Sequence, residues 1–296
     1  MICSFLRMKK RIVTHACLLL TCLSATVLAD EPTTAEARYG LLNGLDHRSF
    51  YQQGDFPEPF LVDDTGLELN EARLDWLRSG IGSTHQNNMR AEVEKGFGVA
   101  TAELEVPYEY DSAPQGVTQG FANIDLGIRS AFYQFVSPEG RFDSTTGAAI
   151  EVGIPTGSPV GQNAELVPKL FDDVRLGQNF TVQSLVGYSM LFGPGEEGGL
   201  HALEYGLVLG YAIPHATLPL PGIQQFIPMF ELSGETGLND SEAGDTSILG
   251  NACFRLNLNP IGQVQPRLGL GYVFPMDRGA RQELHWGIFT SLVFEY

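Results

Sequence analysis

Cysteine, lysine and long apolar runs are all scarce in this chain of 296 residues. Cys3, Cys17 and Cys22 fall within the first 29 positions, which leaves Cys253 alone in the remainder. A lone thiol excludes an intrachain disulfide there, so the fold must be held by other means. After residue 29 the only lysines are Lys95 and Lys169. Four of the 18 basic residues and none of the 35 acids lie in positions 1–29, so residues 30–296 carry a formal charge of −21, 14 against 35. So acidic a chain lacks the basic footprint that nucleic acid demands, and no nucleic-acid partner is expected. The same charge keeps an exported chain soluble in transit. Beyond Ala29 no stretch offers eighteen consecutive apolar residues, which excludes a spanning helix.

The first residues read as an address. Arg7, Lys9, Lys10 and Arg11 precede the mostly apolar stretch 12–23, and Val27-Leu28-Ala29 places small or aliphatic residues before Asp30. This predicts a secretory signal peptide over 1–29, cleaved after Ala29. Leu19-Leu20-Thr21-Cys22 offers a weaker alternative, a lipidated Cys22, which Thr21 disfavours. Residues 30–66 carry Pro32, Pro57 and Pro59 and no sustained alternation. They read as an irregular periplasmic extension or partial plug.

From residue 67 onward alternation recurs, which is the mark of strands whose successive side chains face opposite ways. Twelve strands are predicted, near 67–78, 88–95, 97–110, 121–135, 144–154, 168–177, 179–192, 201–213, 223–234, 247–259, 263–274 and 284–296, with ten to fourteen as the open range. Short connections at 94–96, 137–140, 177–179 and 259–262 alternate with longer ones at 79–87, 111–120, 155–167, 193–200, 235–246 and 275–283. Short turns at one end and longer loops at the other are the pattern of an outer-membrane barrel. The segment Pro214–Gly222 departs from it, being longer than a short turn.

The last strand is the most informative. Trp286, Ile288, Leu292, Phe294 and Tyr296 share one parity; His285, Gly287, Ser291 and Glu295 share the other, with Phe289 and Val293 as exceptions. An exposed aromatic edge strand invites aggregation in water, whereas a strand that closes a barrel in lipid has no free edge. Upstream strands repeat the pattern, as in Leu268, Leu270, Tyr272 and Phe274 against Arg267, Gly269 and Gly271. Alternation alone also suits a soluble sandwich or barrel with its apolar face inward. Aromatics near strand ends and glycines on the polar parity favour lipid outside and a crowded interior. The fold class expected is therefore all-β: a transmembrane antiparallel up-and-down β-barrel over 67–296. Its lumen-lining candidates are Glu103, Glu105, Asp125, Arg129, Glu151, Arg175, Glu204, Glu231, Arg255 and Arg267, together with Arg73, Asp75, Arg90, Glu92 and Asp173. Such mixed charges are expected to pair with one another across strands.

Met89–Gly98, followed by Leu104-Glu105-Val106-Pro107-Tyr108, resembles the early hairpin of the outer-membrane proteins named for the MetA pathway of phenol degradation. Residues 123–129 and 151–157, Glu204-Tyr205-Gly206 and Leu268–Tyr272 are similar to that family as well. The resemblance covers about residues 67–296. It implies a transporter-like barrel linked to uptake of aromatic compounds, with no catalytic residues to carry over.

Enzymatic chemistry is not expected. A barrel hydrolase needs a poised Ser, His and Asn or Asp. Among the histidines only His47-Arg48-Ser49 shows a His-x-Ser spacing, and it lies in the irregular extension; His85 and His201 fall near outer loops. The acidic loop Asn239–Asp245 could hold calcium but lacks the EF-hand layout, so it reads as a solvated loop and no metal or cofactor is expected. Cys253 reads as a small packing residue on the lumen parity. The whole implies a passive outer-membrane channel or porin for small solutes, to which the family resemblance alone adds aromatic or hydrophobic compounds as candidates. Its expected partners are outer-membrane lipid and, through the last strand, the barrel-assembly machinery. A structural barrel with a blocked lumen is the alternative, and an outer-membrane hydrolase the next.

Overall fold

The structure, a computed structural model, describes residues 56–63, 65, 70–97, 100–137, 141–193 and 198–296. The expected signal peptide and most of the expected extension lie outside the described residues.

Fourteen strands follow one another in the chain: β1 (Asn70–Ile81), β2 (Thr84–Gly96), β3 (Ala100–Ala113), β4 (Gly116–Phe121), β5 (Ile124–Val136), β6 (Phe142–Ile154), β7 (Ala164–Leu176), β8 (Phe180–Phe192), β9 (His201–Tyr211), β10 (Ile213–Pro214), β11 (Ile223–Gly237), β12 (Thr246–Leu258), β13 (Gln265–Pro275) and β14 (Trp286–Glu295). Every described pairing is antiparallel, and β1 pairs with β2 on one side and with β14 on the other, so the sheet closes on itself. β3 pairs with both β4 and β5, and β11 with both β9 and β10. Each of those two pairs is one wall strand interrupted, at Ala122-Asn123 and at Ala212. The barrel therefore has twelve walls, each matching one of the strands predicted above. A closed sheet leaves no row of unpaired backbone groups, which is what a strand in hydrocarbon requires.

Two connections differ from expectation. β1 and β2 join through Gly82-Ser83, and β3 and β4 through Pro114-Gln115, where loops of nine and ten residues were expected from polar composition. The polar residues 84–88 and 111–120 instead extend the ladders outward as tall hairpins. Gly82 sits at φ +58°, a left-handed conformation that glycine adopts without strain and that a tight hairpin needs. The long loops lie at 155–163, 193–200, 238–245 and 276–285, the last holding one helical turn, α1 (Ala280–Glu283). All four emerge at the end of the barrel opposite Asn70 and Tyr296. The Pro214–Gly222 segment is a longer loop at the other end, tied by His215 Nδ1 at 2.8 Å from the Ile223 carbonyl.

The barrel is polar inside and apolar outside. Glu71, Arg73, Glu94, Glu231, Asn251 and Arg255 are buried, while Leu74, Met89, Val93, Leu170, Val186, Leu268, Leu270 and Ile288 are exposed. Exposed rings gather toward the strand ends, at Phe97, Phe142 and Tyr211 on one side and Tyr188, Phe192 and Tyr272 toward the other. Water would oppose an arrangement that exposes so many aliphatic side chains and buries so many charges. Hydrocarbon outside reverses that preference, so the molecule is a transmembrane β-barrel.

Candidate functional site: a plugged lumen with two unlike walls

Residues 56–63 and 65 run inside the barrel rather than beside it. Phe56, Glu58, Phe60, Val62 and Thr65 are buried, and the inner wall grips them along their length. The backbone amides of Phe60 and Leu61 donate to the two oxygens of Glu231 at 2.9 and 2.8 Å. Arg255 donates from Nε to the Glu58 carbonyl at 2.8 Å, and Arg73 donates to the Pro59 carbonyl. The Glu58 carboxylate meets Arg267 and, at 3.5 Å, Arg255. Lys169 pairs with Asp63 and with Glu151 on the wall. Thr65 donates to Asp173 at 2.7 Å and accepts from Gln183 at 3.1 Å. We call this segment the plug for its place inside the barrel; its prolines Pro57 and Pro59 suit a stretch with few backbone donors to satisfy.

The plug packs against an apolar half of the inner wall. The Phe60 ring stands edge-on to Phe289 at 5.1 Å, and the Arg255 guanidinium lies 4.4 Å from the centre of the Phe60 ring. Leu77, Val208, Ile227, Met229, Val273 and Phe289 complete this surface. Two inward glycines make room: a Cβ on Gly269 would come within 2.5 Å of Phe60, and one on Gly206 within 2.4 Å of Val62. Phe289 and Val293, exceptions to the polar parity, thus face inward, and Phe289 is part of the bed on which the plug lies.

The other half of the wall, β1 to β3 and β5, is charged and lopsided. Glu71, Asp75, Glu92, Glu94, Glu103, Glu105, Glu109 and Asp125 stand with three cations, Arg73, Arg90 and Arg129. Arg90 reaches Asp75 at 2.6 Å, Glu105 at 3.1 Å and Glu92 at 3.6 Å. Arg73 reaches Asp75 at 2.8 Å, and Arg129 holds Glu103 at 2.8 Å and also Glu94. The register nevertheless sets like charges directly opposite: Asp125 faces Glu105, Glu105 faces Glu92, Glu103 faces Glu94, and Glu94 faces Glu71, which faces Glu295. Opposite charges do pair across neighbouring strands, as Asp75 with Arg90 and Glu103 with Arg129, but the surplus acids stand opposite one another, an arrangement that is normally destabilising.

Of the ten principal lumen candidates, Glu105, Asp125, Arg129, Glu151, Glu204, Glu231, Arg255 and Arg267 are buried, and Glu103 and Arg175 are half-buried. Arg175 pairs with Asp143 from Nε at 2.9 Å. Four of the ten belong to the charged wall, while Glu231, Arg255 and Arg267 hold the plug and Glu151 shares Lys169 with it. On the outer parity of β14, Ile288, Phe294 and Tyr296 are exposed, and Trp286 and Leu292 are half-exposed. Sequence reasoning passed over Glu58 and Asp63, and also Lys169 and Glu94. The last two share parity with Asp173 and Glu92, which was signal enough; the first two lay in a stretch without periodicity.

At the end with the long loops, an open cavity of about 620 Å³ is lined by Glu235, Glu242, Asp245, Asp277 and Glu283, with Arg278 as its basic member. Beneath it a cavity of about 60 Å³ shares Glu235, Ser247 and Glu283 and is floored by Leu61, Val62 and Asp63 of the plug, beside Glu204. An acidic vestibule thus leads down to the plug and ends there. His201 contacts the Tyr188 hydroxyl at 2.7 Å, not a serine or carboxylate. His47 lies outside the described residues. In the loop Asn239–Asp245, Asn239 caps the His201 amide at 2.7 Å, and its carboxylates form no convergent ligand set among the described residues.

No protein-family model and no curated protein matches the chain. Among solved structures, the COG4313 outer membrane channel from Pseudomonas putida F1 is similar at 12% identity, over 79% of this chain and 100% of that one, with a TM-score of 0.51. The NanC porin follows at 9% identity, 77% and 98% coverage and a TM-score of 0.47. The β domain of the Bordetella autotransporter BrkA stands at 11%, 77% and 99%, and 0.45. At such identities the first of these likenesses speaks to fold, and the fold it speaks to is a closed outer-membrane barrel.

Proposed function

We propose that the protein is a non-enzymatic outer-membrane channel for passive passage of small solutes, held shut by the inserted segment that carries Phe56–Asp63 and Thr65. The observation that carries this reading is the acidic vestibule that descends from the loop end and is floored by Leu61, Val62 and Asp63. A barrel whose task was structural would have no need of a cavity leading to an inserted segment. The inner wall, with many more carboxylates than arginines on one side, disfavours anions electrostatically and favours cations or neutral solutes. The apolar half, with Leu77, Ile227, Met229 and Phe289, would offer a surface to an aromatic or hydrophobic solute once the plug leaves it. The likeness to the Pseudomonas putida channel agrees with this reading, as does the family resemblance of the motifs at 89–108 and 151–157.

The test is conductance of the purified barrel in planar bilayers, with and without residues 30–66. The full chain is expected to conduct little and the truncated chain steadily, with a reversal potential on the cation-selective side. If the truncated barrel folds and carries no current, the second reading holds. That reading, a structural barrel with a blocked lumen, draws on the many bonds that fix Glu58, Phe60 and Asp63 in place.

A further inference from the structure

We infer that the charged wall carries a binding site for a hard divalent cation of the calcium class, built from Glu92 on β2 and Glu103 and Glu105 on β3. Each of the three offers a carboxylate oxygen, and these atoms lie within 4.8 Å of one another. That spacing suits a cation whose oxygen ligands sit at roughly 2.3–2.6 Å. A second set, Glu71, Glu92 and Glu94, meets the same condition and shares Glu92.

Carboxylates clustered on a wall would not by themselves make a site. What singles out this one is how the arginines leave it. Arg90 approaches Glu105 and Glu92 through one oxygen of each, Oε2, at 3.1 and 3.6 Å. The other oxygen of each, Oε1, is buried without a hydrogen-bond partner among the described residues. Glu92 is 3% exposed and Glu105 is 3% exposed, so water does not serve those atoms from outside. A buried carboxylate oxygen with no donor is costly, and two in one place are more so. The register aggravates this by facing Glu92 with Glu105 and Glu94 with Glu103. A divalent cation held by these carboxylates would give the cluster a positive partner and cancel two of the surplus negative charges. The cation would also cross-link β2 to β3 in the middle of the wall, so its binding is linked to stability.

The experiment uses the refolded full chain in lipopolysaccharide-free detergent, stripped with chelator. Calcium binding is measured by titration calorimetry, and the unfolding midpoint is measured with and without about 1 mM calcium, within the range over which such sites bind. The expected result is saturable binding and a midpoint several degrees higher with calcium. In Glu92→Gln the affinity should fall roughly tenfold or more and the calcium-dependent shift should vanish. Glu242→Gln, at the mouth of the vestibule, should behave as the unaltered protein. Heat-modifiable migration of Glu92→Gln on a gel verifies that it still folds. Two results overturn the inference: an unaltered protein that takes up no calcium and is stabilised by acid alone, which would show that protons neutralise the cluster, or an undiminished calcium response in both Glu92→Gln and Glu92→Gln/Glu103→Gln.

Discussion

Glu58 shows how much a single side chain can hold. Its carboxylate answers Arg267 and Arg255 in the interior, and its carbonyl accepts from Arg255 as well. Removing one member of a buried pair typically costs about 3–5 kcal/mol because the other charge is stranded. Glu58→Ala is therefore expected to unseat the plug rather than unfold the barrel, since β-pairing does not pass through it. Single-channel recording should show longer or more frequent openings, while the unfolding midpoint changes little. The glycines make the complementary test. Gly206→Leu puts carbon atoms where Val62 lies, 2.4 Å from the first of them, and should also raise the open probability. Unchanged conductance in both variants would mean that the segment does not govern passage.

The outward face of a strand makes a different demand from its inward one. Leu270 is 43% exposed near the middle of β13, while its neighbour Gly271 faces Cys253 and Asn251 within. A charge on the lipid side near the bilayer midplane costs about 2–4 kcal/mol. Leu270→Arg should lower the yield of folded, heat-modifiable barrel in vesicles by that measure, whereas Gly271→Ala crowds Asn251 and acts through packing instead. At this scale the sequence was most legible. Period-two alternation located every wall strand, because burial on one face leaves a mark on each second residue. The extents of β2 and β4 were not legible, since Gln86, Asn87 and Asn88, and likewise Thr118 and Gln119, look like loop residues although they lie in the ladder. A hairpin that stands clear of the apolar band has polar side chains on both faces, and no alternation remains to reveal it. Gly82-Ser83 and Pro114-Gln115 are the tight turns inside those polar stretches. The plug was legible only as an irregular stretch. Apart from Arg73, its named partners are more than 100 residues away, and no local pattern encodes such contacts.

For the molecule as a whole, the imbalance of charge on β1 to β3 sets a field along the passage. With the plug removed, cation over anion preference should weaken as salt rises, because mobile ions screen fixed charges over about 10 Å at 0.1 M. Substituting Glu103 and Glu105 together by Gln should bring the reversal potential toward that of a neutral pore. A preference for anions at low salt would contradict the reading of the wall. The identity of the solute, by contrast, has no trace in alternation or charge count, because it depends on the width left when residues 56–65 withdraw.

The plug precedes β1 in the chain, yet three of its anchors, Glu231, Arg255 and Arg267, belong to β11, β12 and β13. Residues made first can find their seat only after nearly everything else has been made and rolled up. Loop closure over such distances is slow, and the pairing of β1 with β14 shares the same delay. Maturation of this barrel should therefore end in two late events, the seam and then the stopper. A newly joined barrel would pass through a brief leaky stage, detectable as a transient dye efflux from vesicles during insertion.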